Sequence, residues 1–481
     1  MTAAASSGRN GVSRRAALIG LAATIAVIPA SFAATGLVAR VLVSPVPQRV
    51  ATDFAQPLPV VTAWGGLGAA LWALLAVAVL VSAASAFGAI LLFLRKPISE
   101  SEACVIIVVG ALAAMCAMLT WPVVFSSDVY AYAAYGAAAL DGMNPYVRLP
   151  ATSDPLVRAA AWQWQGQIPA CVYGEGFLLP ARMVVAALRA FGPAPTLLAF
   201  RIGACSAFVV AVVALRTILG PNRLGAVVAV ALNPVALWSA AEGHNDAAMV
   251  AAALCGVALA VRGKSTVGGA LVAFSSLIKA PGAVIGAALA AMTVPLDRAR
   301  VRRFAWAGAV AFLAVLAVSL PQLSADTADL RRHGHYTPEI SLQAFGFSGA
   351  QLIAGERAGV VGTLLAGVFA AAIVLYGCRR LARKDVQGMG WLAVGVWLLI
   401  PSPYPWYAMW FLPLSAVLLE KPVGVALWWL SIAVILRYLP DAFGSLPLEA
   451  GFVMSLVALT PLLYALRPSG TARIAAEPLA S

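Results

Sequence analysis

From Leu67 to Leu94 the chain runs through Leu, Ala, Val, Gly, Trp, Ser, Phe and Ile without a single charge. A run of this length is a membrane-spanning helix. One span needs about 20 apolar residues, and in lipid a helix satisfies its own backbone hydrogen bonds. Further apolar runs cover 16–38, 104–125, 195–219, 224–240, 247–262, 303–323, 358–378, 389–401, 406–419, 423–438 and 449–466. Two more, 177–191 and 266–293, are ambiguous. The runs are continuous rather than alternating, which excludes a β-barrel. Charged residues make up 11% of the 481 positions, against roughly 25% in soluble domains, and the mean hydropathy is +0.91. The expected fold class is an all-α polytopic membrane protein with about 12, at most about 14, spans.

The net charge of +13 does not indicate a nucleic-acid partner. Arg and Lys stand at the ends of apolar runs, as in Arg95-Lys96, Arg302-Arg303 and Arg379-Arg380. That is the positive-inside distribution, not a basic face interleaved with aromatics. Ser13-Arg14-Arg15 before the first run faintly resembles a twin-arginine signal, but reads better as the basic flank of an uncleaved first span. Five of the six cysteines lie within or at the ends of apolar runs, Cys171 lies in a polar loop, and no CxxC occurs. Neither a zinc site nor a loop disulfide is suggested.

Charge also sets the expected topology. Arg9, Arg14 and Arg15 hold the N-terminus in the cytoplasm, and Arg95-Lys96 return there after the second span. The third span then delivers residue 126 to the outside. Counting back from Arg467, Lys421, Arg379–Lys384 and Arg298–Arg303 places 324–345 outside as well. The middle admits two readings. With three crossings, 177–191 is interfacial or re-entrant and 266–293 dips and returns around Lys279-Ala-Pro-Gly282. Five plain crossings would turn His244 to the cytoplasm. The charge count favours the first. The expected organisation is a cytoplasmic tail 1–15, one transmembrane domain 16–466 with outer loops 126–176 and 324–345, and a cytoplasmic tail 467–481. Loops this long in a compact bundle are usually functional or disordered.

The first outer loop opens with Ser126-Ser-Asp-Val-Tyr-Ala-Tyr-Ala-Ala-Tyr135. Ser126 or Ser127 can cap a helix with Asp128 in its first turn. Asp128, Tyr132 and Tyr135 then share one face, and the helix N-terminus favours a negative charge. Such a carboxylate can serve as general base towards a hydroxyl. The structural alternative is a capping aspartate with interfacial aromatic anchors. Asp141-Gly-Met-Asn-Pro-Tyr146 has the residue chemistry of a turn.

Other polar residues carry similar pairs of readings. Lys279, deep in an apolar stretch, needs a partner or a cavity. It is either a ligand for a lipid phosphate or a snorkelling side chain. Glu242, His244, Asn245 and Asp246 crowd a short connection between spans. They cap the next helix, serve a site, or hold a divalent metal, for which one His and two carboxylates are thin support. Arg201, Arg331, Arg332, His333 and His335 are candidates to neutralise a phosphate, or in the loop a headgroup-binding patch. Trp406, Tyr407 and Trp410 are interfacial anchors or sugar-stacking rings.

Four segments, taken in order, resemble the bacterial α-(1→6)-mannopyranosyltransferases of lipomannan synthesis, within the GT-C superfamily of polyprenyl-phosphate-sugar-dependent glycosyltransferases. They are Asp128-Val-Tyr-Ala-Tyr132 with Gly142-Met-Asn-Pro-Tyr146, Glu242-Gly-His-Asn-Asp-Ala247, Lys279-Ala-Pro281, and Pro403-Tyr-Pro-Trp-Tyr407 with Trp410. The resemblance covers roughly 104–415. It implies a GT-C-type fold with the active site on extracytoplasmic loops, in the plasma (inner) membrane of a bacterium. It implies Asp128 as catalytic base. Lys279, Arg201, Arg332, Tyr132, Tyr135, Asn144, Tyr146, Glu175, His244, Asp246, Trp406 and Tyr407 become candidate substrate-binding residues. The partners are membrane lipids, a polyprenyl-phosphate-linked sugar donor with mannose as the foremost sugar, and a glycan or glycolipid acceptor; no cofactor is required. Two positions depart from the family pattern. Tyr173-Gly174-Glu175 stands where Tyr-Gly-Pro is usual, and Tyr404 where His often precedes Pro-Trp-Tyr. Two rival classes remain, a transporter or flippase of lipid-linked sugars, which predicts internal repeats, and a ligase using a diphosphate-linked oligosaccharide.

Overall fold

A computed structural model describes residues 14–43, 66–95, 100–320 (without 124, 127, 151, 164–166 and 296), 354, 358–400, 404–439, 453 and 456–467. The second outer loop, with Arg331, Arg332, His333 and His335, lies outside the described residues. The described chain is helical apart from one short antiparallel pairing, β1 (Leu149–Pro150) with β2 (Gln167–Ile168).

Three long helices open the molecule: α1 (Arg14–Val43), α2 (Gly66–Arg95) and α3 (Glu100–Met118). They are apolar all round, as buried or lipid-facing helices must be. The few polar groups tie α1 to its neighbours. Ser31 and Ser82 share a hydrogen bond of 2.9 Å, Trp121 Nε1 donates to the Phe32 carbonyl at 3.0 Å, and Arg40 donates to the Thr120 carbonyl.

The segment after α3 forms α4 (Asp128–Leu140), α5 (Pro155–Gln163) and α6 (Glu175–Leu188). Gly136 lets α4 sit directly on α6: a Cβ there would stand 2.8 Å from the Ala181 carbonyl oxygen. Arg189 closes this layer. It donates to both oxygens of Asp141, at 2.6 and 2.8 Å, and to Asp154 at 2.8 Å. Asp154 also accepts from the backbone N–H groups of Leu156 and Val157, capping α5.

Helix α7 (Pro193–Leu219) is a full-length apolar helix bounded by Gly192 and Gly220. The return stretch is not one helix. It divides into α8 (Leu224–Ala231) and α9 (Pro234–Ala241), bent by 59°. The cause is local. Pro234 has no N–H to continue a helix and suits a first turn. Asn233 caps α9, accepting from Val235 and Ala236 at 3.1 and 3.0 Å, while its amide donates to Ser431 at 2.7 Å. Gly243, at φ +97°, then reverses the chain into α10 (Asp246–Val261).

The stretch 266–293 likewise breaks, into α11 (Ser265–Ile278) and α12 (Gly282–Thr293). Their 14 and 12 residues fall short of a span of about 20. Lys279 sits extended between them. Ser276 staples the break, donating to the Ala280 carbonyl at 3.0 Å and accepting from Ala283 N–H at 2.9 Å. Glycine again sets the approach of neighbours, since a Cβ on Gly256 of α10 would stand 2.7 Å from the Gly268 carbonyl of α11. Small residues at such contacts are the usual means of helix association in lipid. The remaining described helices are α13 (Arg298–Val318), α14 (Ala358–Ala382), α15 (Gln387–Leu399), α16 (Ala408–Val417) and α17 (Pro422–Ala433), with a terminal turn α18 (Pro461–Ala465).

Among the described residues five helices are long and apolar enough to cross a membrane, or six if the bent pair α8–α9 counts as one. Several of the spans expected from hydropathy are shorter apolar helices, among them α10 and the stretch Pro422–Tyr438, and the ambiguous stretch 266–293 is divided between the short helices α11 and α12. The molecule is thus a multi-pass helical membrane protein, with part of its apolar length in broken helices.

Candidate functional site

Asp128 is the first residue of α4, and its N–H donates to Ser126 Oγ at 3.2 Å. Ser126 thus satisfies one backbone donor at the start of α4. The Asp128 side chain keeps 23% of its surface exposed, and its Oδ2 lies 3.4 Å from His244 Nδ1. His244 is 1% exposed, and neither ring nitrogen makes an aligned hydrogen bond among the described residues. Its ring is fixed by stacking on Trp406, with centroids 3.9 Å apart and planes within 17°. Tyr404 stacks on the same indole at 4.6 Å, and the Arg437 guanidinium lies 5.2 Å over Tyr404. A column Arg437–Tyr404–Trp406–His244 thus ends against Asp128. Trp406 is buried and is engaged by the rings of His244, Tyr404 and Tyr407, so it does not present an open platform.

One turn into α4, Tyr132 OH donates to Asn245 Oδ1 at 3.3 Å, and the ring packs edge-on against Tyr173 and Phe177. Burial pushes the Tyr132 and Tyr173 hydroxyls well above the usual phenol range, with the Asp128 charge adding to both. Both remain neutral donors. Tyr135 takes a different direction, donating to the Pro169 carbonyl at 3.0 Å, and so anchors the loop before α6.

A second cluster adjoins the first through Tyr173. Asp246, fully buried at the start of α10, accepts from Lys279 Nζ through both oxygens at 2.9 Å. It also accepts from Trp410 Nε1 at 2.6 Å. The Lys279 ammonium sits among three rings, 5.6 Å from Tyr173, 5.1 Å from Tyr407 and 5.6 Å from Trp410. Such faces favour a cation, and the break between α11 and α12 is what carries Lys279 to them. The partner that a membrane-embedded lysine requires is therefore Asp246.

The turn Asn144-Pro145-Tyr146 forms as its chemistry dictates, with Asn144 Oδ1 accepting from Tyr146 N–H at 2.9 Å. It is pinned by Cys171 N–H on the Pro145 carbonyl at 2.8 Å. Tyr146 OH donates to Glu175 Oε1 at 3.1 Å. Glu175, where the resemblance leads to an expected proline, thus begins α6 and holds the Asn-Pro-Tyr turn.

Arg201 faces inward. Its guanidinium donates to the carbonyls of Ala241 at 2.5 Å and of Met118 and Trp121 at 3.4 Å. It satisfies the C-terminal ends of α3 and α9, which leave carbonyls unpaired. Glu242 follows α9, 2% exposed, with neither oxygen hydrogen-bonded among the described residues. Burial pushes its carboxyl up to about 8, against the opposing pull of Arg201. The polar run 242–246 therefore diverges. Glu242 lies in the field of Arg201, His244 meets Asp128, Asn245 meets Tyr132, and Asp246 meets Lys279. Among the described residues no three His, Cys, Asp or Glu side chains gather as a metal site would need.

The ordered segments that resembled one family in the sequence thus converge in space around Asp128 and Lys279. A family model described as "Alpha-(1->6)-mannopyranosyltransferase, N-terminal domain" matches residues 17–295, which include both. The chain belongs to this mannopyranosyltransferase family. The matched region carries Asp128, Tyr132, Tyr146, Glu175, His244, Asp246 and Lys279, while the aromatic wall of Tyr404–Trp410 lies beyond it. A curated protein of Mycobacterium tuberculosis (strain ATCC 25618 / H37Rv), "Alpha-(1->6)-mannopyranosyltransferase A", is 27% identical over 344 residues, 66% of this chain and 66% of that protein. The chain thus spans just under two thirds of that relative's length. No solved structure matches the chain. Tyr173 is not among the residues weighed as site candidates in the sequence, while Asn245 and Trp410 are, and the fold brings them against Tyr132 and Asp246 respectively. Trp410 lies one helical turn beyond Tyr407, a spacing that puts both on one face. Nothing local marked Tyr173 as a contact residue.

Proposed function

We propose that the protein transfers a mannosyl group from a polyprenyl phosphate to a hydroxyl of a glycan or glycolipid on the extracytoplasmic face of the plasma membrane. The observation that carries this reading is the partly exposed Asp128 carboxylate. It stands at a helix start, against a buried, stacked His244, within the family-matched region. In the proposed step the acceptor oxygen attacks the anomeric carbon while Asp128 takes the hydroxyl proton. The bond from anomeric carbon to phosphate oxygen breaks, and its electron pair leaves with the lipid phosphate. A single displacement inverts the anomeric centre. Phosphate leaves readily without a general acid, so cations that stabilise its charge suffice. Lys279 and Arg332 are the proposed cations, with Lys279 held in place by Asp246. Tyr132, Tyr135, Asn144, Tyr146, Glu175 and Tyr407 shape the acceptor side, while Asp246, His244 and Trp406 hold the groups that act.

The test is transfer from labelled polyprenyl-phosphate mannose in isolated membranes, with the product linkage analysed. Asp128→Asn keeps the shape of the side chain and loses the proton acceptor. The expected fall in turnover is about 10²–10⁴-fold, with donor binding retained. Near wild-type transfer by Asp128→Asn would sink the mechanism. Translocation of labelled lipid without any transfer would favour a flippase instead.

A further inference from the structure

The C-terminal halves of α7 and α10 lie side by side and enclose a groove of about 390 Å³. Its walls are apolar, with Val210 and Val213 on α7 and Cys255 and Leu259 on α10. Its polar lining is confined to one end, where Thr217 and Arg262 meet. Arg262 is exposed. Its one described side-chain hydrogen bond is a long one of 3.5 Å to Thr217, and no described carboxylate pairs with it. The groove is remote from the candidate site. Asp246 begins α10 and Arg262 follows its end, and the 16 residues between rise about 24 Å.

We infer that this groove binds an anionic phospholipid, with one acyl chain between α7 and α10 and the phosphate on Arg262 and Thr217. Charge complementarity selects the occupant. A guanidinium with no carboxylate partner among the described residues, beside Thr217 at the mouth of an apolar groove, matches an amphiphile with an anionic head, and basic pockets between membrane helices on the cytoplasmic side bind such heads. Arg216, Arg223 and Lys264 lie near the same helix ends, which the positive-inside distribution assigns to the cytoplasm. Size agrees. From Val209 to Thr217 the wall rises about 12 Å, close to the roughly 15 Å hydrocarbon depth of one leaflet. A single acyl chain fits that depth. The inference does not depend on the proposed sugar transfer.

The full chain, purified in detergent, is titrated with phosphatidylglycerol or phosphatidylcholine and the retained lipid is counted by native mass spectrometry. Wild type is expected to prefer phosphatidylglycerol about fivefold, the increment of one basic residue at a membrane surface. Arg262→Gln should bring the two lipids to parity. Lys264→Gln, an exposed cation that does not line the groove, should leave the preference intact. Val213→Trp, which fills the groove from an exposed position, should lower retention of both lipids. Arg262→Lys keeps the charge without the forked donor and should retain part of the preference, which covers a failure of the Gln variant to fold. Equal retention of both lipids by wild type would overturn the inference. So would an equal loss in Arg262→Gln and Lys264→Gln, which marks diffuse attraction. A wild-type dimer that Val213→Trp dissociates would also overturn it, because a second copy would then cover the groove.

Discussion

Glu242 shows how a single buried carboxyl links position to pH. It follows α9 directly, and burial lifts its carboxyl to about 8 from the usual value near 4.3. A raised carboxyl contributes stability that is fully present below its unfolded value and is lost as pH rises through the folded one. The melting temperature of wild type should therefore decline between about pH 5 and pH 8. Glu242→Gln keeps the shape and stays neutral, so its decline should be shallower over the same window. Matching pH profiles for the two proteins, measured in one detergent, would show that Glu242 is ionised in the fold and held by Arg201. His244 makes a related point about placement. At 1% exposure it meets Asp128 and Trp406, so in the proposed step its part is to position the carboxylate.

At the scale of elements, the broken helices are what bring the polar groups together. Asn233-Pro234 ends α8 and aims α9 so that the turn at Gly243 returns to α4. The break at Lys279-Ala-Pro281 takes an ammonium out of a helix wall and places it on Asp246, 33 residues away in the chain. Because both partners are buried, removing one leaves the other uncompensated, at a cost of about 3–5 kcal/mol. Lys279→Met should therefore destabilise the protein as well as impair donor use. Lys279→Met combined with Asp246→Leu should recover much of the stability without recovering activity. Thermal unfolding of the single and double variants decides the matter. If Lys279→Met unfolds like wild type, the pair does not hold α10 to the break, and the lysine acts on the donor alone.

For the whole molecule the charge distribution makes a prediction of sidedness that can be checked. In the proposed orientation, with Arg14-Arg15 and Arg95-Lys96 in the cytoplasm, the layer of α4, α5 and α6 faces outward. Ser153 is exposed on that layer, and Cys171, the natural cysteine of the same region, is buried. A cysteine at Ser153, in a background lacking Cys171, should react with a membrane-impermeant thiol reagent added to intact cells. Reaction only after permeabilisation would reverse the orientation and remove the extracytoplasmic step with it.

Features governed by neighbours in the chain were legible before the structure. Uninterrupted apolar runs define a helical membrane protein because lipid offers the backbone no other partner. Ser126 before Asp128 marks a helix start, and proline with its preceding residues marks the break at Lys279. The ordered motifs named the family, and the matched region bears that out. Asn233-Pro234 was equally local, yet hydropathy averaged over it and read one span where there are two short helices. What the tertiary structure alone decided is which charges meet. Lys279 is paired with Asp246, Arg201 is turned to carbonyls, His244 is set between Trp406 and Asp128, and Glu242 is buried with its oxygens unbonded among the described residues. These depend on glycine-spaced contacts between helices remote in the chain. A sequence window shows the residue types on each face but not the face that each will meet.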